Sequence, residues 1–353
     1  MIKSYPKLMN YRIYLMPVFM LVMISSVAQN NVDVEFLAKY KLTGTSIRAI
    51  EITDDNTLWF AGSGGKYGRI INDQLEIDSI SHEGRYPQFR SIAFNGTFLF
   101  LLSIENPALI YKIDPSKPLG QHEVVYKESH EKVFYDSMTF FDKNKGIAMG
   151  DPTEDCLSII LTKDGGNNWK KIDCEQLPKI IDGEAAFAAS NTNIKTFENN
   201  AWIVTGGSKA RVFKTSDYGE NWQVAPTPMV QGGKMTGIFS TDFYDAKTGI
   251  IMGGDWENKT SGKSSKAVTA DGGQTWTLVA DDQLPGYISC VQFIPNGKGK
   301  RVMAVSTEGM YISQDKAKTW KKIEEKGYYS LRFINEETAW LSTHEEIVKI
   351  KLQ

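Results

Sequence analysis

The chain has 353 residues, 41% of them apolar and 11% aromatic, which excludes disorder and leaves either a few ordinary domains or one large repeat array. Its net charge of −2, without any basic block, argues against nucleic acid as a partner. The three cysteines form no cluster with histidine and the aspartate-rich turns lack an EF-hand pattern, so no metal or cofactor is expected.

The first element is a leader. Lys3, Lys7 and Arg12 precede an apolar run from Ile13 to Ile24, and small residues follow up to Ala28. These are the three parts of a secretory signal peptide, with cleavage expected near Ala28. The run is short for a membrane span. Residues 1–28 are therefore read as the signal and 29–353 as the mature protein, secreted or periplasmic and without a membrane anchor. Losing three cations takes the net charge from −2 to −5.

Short strand patterns fill the rest of the chain. Val34 to Tyr40 reads as a strand. Runs beginning near Arg48, Arg90, Asp136, Glu184, Phe239, Ser289 and Tyr329 are separated by 42, 46, 48, 55, 50 and 40 residues. Each opens a group of short β-type runs bounded by turn residues, and four strands at this period are a propeller blade. In the third group the runs are 137–141, 146–149, 157–161 and 169–172. Gly62-Ser-Gly64-Gly-Lys-Tyr-Gly68 superficially matches a dinucleotide loop, but its spacing is wrong and no amphipathic helix follows, so it reads as a strand-to-strand turn. Near the C-terminus three strands are available, at 329–334, 338–342 and 346–352. Residues 34–40 would supply the fourth, closing the ring and removing two exposed sheet edges.

One turn recurs four times: Thr162-Lys-Asp164-Gly-Gly166-Asn-Asn-Trp169, Thr215-Ser-Asp217-Tyr-Gly219-Glu-Asn-Trp222, Thr269-Ala-Asp271-Gly-Gly273-Gln-Thr-Trp276 and Ser313-Gln-Asp315-Lys-Ala317-Lys-Thr-Trp320. The aspartates lie 53, 54 and 44 residues apart. An aspartate carboxylate accepts backbone N–H groups in a hairpin turn, glycine permits positive φ, and tryptophan leads the returning strand into the space between sheets. Cys156 and Cys174 flank the first of these turns symmetrically. They are read either as a disulfide across the hairpin or as two free buried thiols. Cys290 lies in an apolar strand and reads as core.

With these four copies the chain resembles the BNR/Asp-box propeller families, which include sialidases, sortilin-type receptors and the photosystem II assembly factor-like propellers, and it is most similar in character to the last group. The expected fold is all-β: a seven-bladed propeller of four-stranded antiparallel blades, closed by the N-terminal strand. The turns would decorate one rim as scaffold. Ligands of such propellers usually sit on the opposite face near the axis.

Aligning the inner strands on Ile52, Phe94, Phe140, Ala188, Phe243, Phe293 and Phe333 places Arg48, Arg90, Asp136 and Glu184 at one equivalent position on that opposite face. Loops carrying Asp151, Lys209, Arg211 and Asp255 join them. One reading is an anion- or sugar-binding mouth, with Asp136 and Glu184 as candidate acid–base carboxylates. The other is a ring of structural ion pairs. The sialidase resemblance implies a clamp drawn from Arg48, Arg90, Arg211 and Arg332, and a tyrosine–glutamate pair for which Tyr135 and Glu184 are the nearest analogue; the Arg-Ile-Pro motif of that family is missing. His82, His122, His130 and His344 neighbour no nucleophile motif, so no Ser–His–Asp triad is expected. The reading that results is a monomeric protein- or glycan-binding scaffold. Its alternative is a sialidase-like glycoside hydrolase.

Overall fold

The computed structural model describes residues 1–4 and 32–353. The apolar leader and its cleavage point at Ala28 lie outside the described residues. From Val32 onward the chain is one compact unit of antiparallel sheets. No helix among the described residues is long and apolar enough to cross a membrane.

The sheets are seven blades. Blade one holds Ile47–Asp54, Thr57–Gly62, Lys66–Ile71 and Gln74–Ser79, in that order from axis to rim, and blade two repeats the plan from Phe89–Phe94 to Glu123–Glu128. Blades three, five and six have innermost strands Tyr135–Phe140, Thr236–Phe243 and Cys290–Phe293. In blade seven, Ser330–Phe333, Thr338–Ser342 and Glu346–Leu352 are completed by Val34–Lys41, whose Val34 pairs with Leu352. The ring is closed by the N-terminal strand, as the sequence predicts. Gly62 to Gly68 is the tight turn between two strands of blade one.

Blade four departs from the sequence reading. Its innermost strand is Ile194–Phe197, not a strand starting at Glu184. Phe197, not Ala188, occupies the place of Phe140, because Phe197 pairs with Asn200 across the first turn as Phe140 pairs with Gly146. Glu184–Ala185 is instead a two-residue strand paired with Gly206–Gly207, and both extend the sheet of blade five.

Burial follows position in the blade. Thr57–Gly62 and Leu99–Ser103 are buried along their whole length, because the middle strands have a neighbouring blade on both faces. The outer strand Gln74–Ser79 has no fully buried residue. The core therefore lies between blades. Trp59, Ala61 and Tyr67 of blade one, for example, pack with Ile92, Leu99 and Leu101 of blade two.

The four aspartate turns share one hydrogen-bond pattern. The Thr162 hydroxyl donates to the Asp164 carboxylate at 2.9 Å and accepts the Gly166 N–H at 3.0 Å. Asp164 accepts the Asn168 N–H at 2.9 Å, and the Trp169 indole N–H donates to the Gly166 carbonyl at 3.2 Å. Asp217, Asp271 and Asp315 repeat the arrangement, with Trp222, Trp276 and Trp320 donating to the carbonyls of Gly219, Gly273 and Ala317. Ala317 takes φ of +63°, where the other three copies have glycine between +83° and +91°. Asn95 of blade two donates to the carbonyls of Lys143 and Gly165, which ties its own first turn to the aspartate turn of blade three. Strand alternation places these turns on one face, the turn face. The strand starts, second-to-third loops and blade crossovers lie on the other, the loop face.

Candidate functional site

The axis on the loop face is shaped by a repeated bulge. In blades one, two, three and five the pairing of the two inner strands skips one residue: Arg48, Arg90, Asp136 and Phe239 respectively. A bulge frees the extra residue from the in–out alternation and re-aims its side chain. Arg48, Arg90 and Phe239 all reach the same segment of chain. Arg48 donates to the Ala189 carbonyl and Arg90 to the Ala188 carbonyl, each at 3.1 Å, while Phe239 stacks on Phe187 at 4.0 Å.

That segment, 186–193, is a plug. It contacts every other blade by hydrogen bonds. Besides Arg48 and Arg90, the Ser190 hydroxyl donates to Ser289 of blade six at 2.5 Å, and the Asn191 amide donates to Ile92 of blade two at 2.8 Å. Met138 of blade three donates its N–H to Asn191, Thr241 of blade five donates to the Thr192 carbonyl, and Arg332 of blade seven reaches the carbonyls of Ser190 and Asn191 at 3.4 Å. Nearly all of these groups are buried, so each hydrogen bond answers a polar group that water cannot reach.

The plug divides the axis in two. On the turn side lies a cavity of about 270 Å³ lined by Glu51, Lys195, Asp242, Gln292 and Arg332. There Lys195 pairs with Asp242 at 2.7 Å and Arg332 approaches Glu51 at 4.0 Å. Burial pushes the Glu51 carboxyl up to about 7, against the pull of Arg332 and Lys195. On the loop side the axial well is bounded by two clusters of side chains, of which Asp136, Phe239 and Tyr287 are buried. One is cationic and acidic: Arg48, Arg90, Asp136 and Asp151. The other is aromatic: Tyr329 lies under the Arg48 guanidinium at 4.1 Å, and Tyr287 meets Phe239 edge-on at 4.9 Å.

The electrostatics of the well are unusual. Among the described residues no carboxylate lies within ion-pair distance of Arg48 or Arg90, although Asp136 and Glu105 act on Arg90 from further off. Burial, with Arg48 next to it, lowers Arg90 to about 10. Asp136 is 0% exposed, and neither carboxylate oxygen has a hydrogen-bond partner. Burial drives its pKa well above the ordinary carboxylate range, with Asp151 adding to the rise and Arg90 opposing it. Asp151 is itself raised to about 6 by burial, although it accepts the Ala186 N–H at 2.9 Å.

The remaining expected site residues sit elsewhere. Glu184 is not at the mouth. It is buried and receives Arg211 at both carboxylate oxygens (Nε at 2.9 and 3.1 Å), together with the Thr205 hydroxyl at 2.6 Å and the Ile181 N–H at 3.0 Å. With every lone pair engaged, Glu184 and Arg211 form a structural ion pair, and neither is free for acid–base or clamping work. Asp255 folds its own loop by accepting the N–H groups of Glu257 and Asn258. Lys209 is exposed in the turn beside Ser208. The sialidase-type clamp is not assembled. Arg48 and Arg90 face the loop side, Arg211 is held by Glu184, and Arg332 lies on the turn side of the plug. Tyr135 pairs with Glu128 at 2.7 Å, not with Glu184, and burial raises its hydroxyl pKa far from that of an activated nucleophile. Cys156 and Cys174 are joined as a disulfide, and Cys290 is buried and free.

Sequence reasoning missed the plug and the aromatic cluster. The signal for the plug was the surplus of residues ahead of blade four. It was absorbed by taking Glu184 as a strand start, because Glu184-Ala-Ala-Phe187 has strand-like composition.

No protein-family model and no curated protein matches this chain. Solved structures do. YCF48 bound to D1 peptide is similar with a TM-score of 0.65 and 12% identity, over 88% of this chain and 94% of that one. YCF48 from Cyanidioschyzon merolae gives 0.62 and 15%, over 89% and 99%. The WD40 repeats of RRP9 give 0.62 and 11%, over 91% and 98%. At these identities the likeness is one of fold: the chain is a seven-bladed β-propeller of four-stranded antiparallel blades.

Proposed function

We propose that the chain is an exported, monomeric protein-binding scaffold that engages its partner through the loop face, with an acidic group of the partner seated between Arg48 and Arg90. The observation that carries this is the pair of arginines itself. Two guanidiniums stand side by side, each spending one N–H on a plug carbonyl and neither spending any on a carboxylate. A guanidinium with free donors in a half-buried well is matched by a planar oxyanion.

Two further features favour the loop face. Tyr86, Ile181, Trp256 and Leu284 are exposed large apolar side chains, and all four sit on its crossovers and loops. Phe36, Leu37, Ile77 and Val124 are exposed on outer strands and Tyr244 on the turn face, but the loop-face group sits on loops that can meet a partner. A groove of about 750 Å³ also runs between the crossovers and loops of blades one to three, lined in part by Tyr86, Pro87, Glu105 and Phe134. YCF48, similar in fold, is described with a bound peptide. Export rests on the leader at 1–28 and on the Cys156–Cys174 bond, which suits an oxidising compartment.

The test is partner capture from the native envelope by residues 29–353, beside an Arg48→Ala/Arg90→Ala double variant. Loss of at least about tenfold of the captured partner in the variant is expected from two lost charge-assisted contacts. Equal capture by both proteins overturns the reading. Specific retention of glycans on an array would transfer the same well to a sugar ligand. Turnover of fluorogenic glycosides that vanishes in Asp136→Asn would replace the scaffold by a hydrolase.

A further inference from the structure

The well contains two carboxyl groups that the arginines do not neutralise. Asp136 is the bulged residue of the innermost strand of blade three. Asp151 follows Gly150, which pairs with Tyr135, so the two carboxyls flank one rung of the same sheet. The Asp151 N–H donates to the Phe134 carbonyl, which fixes its loop against the start of that strand. Asp136 is sealed from solvent with both oxygens unpartnered, an arrangement that strongly disfavours a charged carboxylate. Asp151 is held more openly by the Ala186 N–H of the plug. The groups facing this pair are Arg90 directly, with Arg48, Glu105 and Tyr329 acting on Arg90 in turn. Two neighbouring carboxyls of this kind titrate as a unit.

We propose that the well binds its acidic ligand in a proton-linked way: when an anionic group settles between Arg48 and Arg90, the Asp136–Asp151 pair takes up a proton. This rests on the reading of Arg48 and Arg90 as the seat of an acidic group and adds to it how that seat is regulated. The physical reason is like-charge repulsion beside the seat of the anion. With Asp136 neutral, Asp151 is the remaining negative charge of the pair, and it repels an incoming carboxylate. Protonating Asp151 removes that repulsion. Burial raises the titration of the pair above the ordinary carboxylate range, so the gain comes as the pH falls from neutrality into the mildly acidic range. The ligand's own glutamates titrate near pH 4.3 and stay charged throughout. The scaffold would hold its partner more tightly in a mildly acidic compartment than in a neutral one.

The experiment uses the full mature chain and a blocked heptapeptide with two glutamates beside a phenylalanine, the phenylalanine matching the partly exposed ring of Tyr329. Its glutamine counterpart is the control. Calorimetric titrations between about pH 5.5 and about pH 7.5, each in two buffers of different ionisation heat, read both affinity and proton uptake. Binding about tenfold tighter at the acid end, with net proton uptake near neutrality, is expected from removing one like charge at close range. Asp151→Asn, which retains an oxygen to accept the Ala186 N–H, should bind tightly at all pH values with no proton uptake. If that variant unfolds, the wild-type proton count decides alone. Binding of the glutamate peptide that is flat with pH and takes up no protons overturns the linkage and leaves the scaffold reading in place. Failure of the peptide to bind at any pH, or equal binding of the glutamine control, also overturns it. The scaffold reading then rests on the partner-capture experiment.

Discussion

The aspartates of the turn face and those of the axial well are the same residue put to opposite physical use. Each turn aspartate is closed into a local ring of donors: a hydroxyl two residues before it and N–H groups three or four residues after it. Those bonds favour the charged form, and hydrogen bonds from Thr275 and its neighbours lower Asp271 to about 2. Asp136 has no donor at all and is driven the other way by burial. Satisfied carboxylates build the fold, whereas burial without a donor keeps Asp136 from its charged form. Glu184 tests this division. It lies near the well in sequence, yet its bonding puts it with the structural set.

The largest expected effect comes from that residue. Glu184→Ala strands the half-buried Arg211 and should cost about 3–5 kcal/mol in denaturant unfolding. Partner capture by the fraction that remains folded should be unchanged. A capture defect without a stability defect would move Glu184 back into the binding set. Trp276→Ala comes next. The ring is 9% exposed and packs on Phe243, so a loss of about 3 kcal/mol is expected, and a loss within the surface range of about 0.5 kcal/mol would show that the turn does not anchor the blade interface.

Asp271→Ala should cost about 1 kcal/mol, because it frees the Thr275 and Gln274 N–H groups to water rather than burying them. The pH dependence has a definite sign here. The folded pKa lies below the unfolded one, so the contribution of Asp271 is fully present above about pH 4 and is lost as the pH falls toward 2. Acid titrations of wild type and variant should therefore converge in that window. The smallest effect has the opposite direction. Ala317 pays for a left-handed backbone that glycine adopts freely, so Ala317→Gly should stabilise by about 1 kcal/mol, read as a rise in unfolding midpoint. In Gly273→Ala the same swap in reverse should destabilise, with the new Cβ 3.1 Å from Trp202.

Much of the architecture was legible because its cause is local. A hydroxyl, an aspartate, a glycine and a tryptophan at fixed spacing close one hairpin by hydrogen bonds within the motif, so four copies announce four blades. Strand-like runs at blade spacing supply the others. Arg48, Arg90 and Asp136 stand at the starts of inner strands, and strand alternation alone puts those starts on the face opposite the turns. Glu184 was misplaced for a reason of the same kind. Its four-residue neighbourhood reads as a strand start, and nothing local says that Arg211 will claim it.

Sequence by itself determined the repeat, the closing role of Val34–Lys41 and the side of the ring on which charge collects. Only the tertiary structure decided that residues 186–193 leave the blade plan to plug the axis, that the four candidate arginines part company around that plug, and that Asp136 is left without a donor. The first set follows from contacts a few residues apart or from strand periodicity. The second depends on hydrogen bonds between residues about a hundred positions apart, such as Ser91 with Asn191 and Ser190 with Ser289, which exist only once the ring has closed.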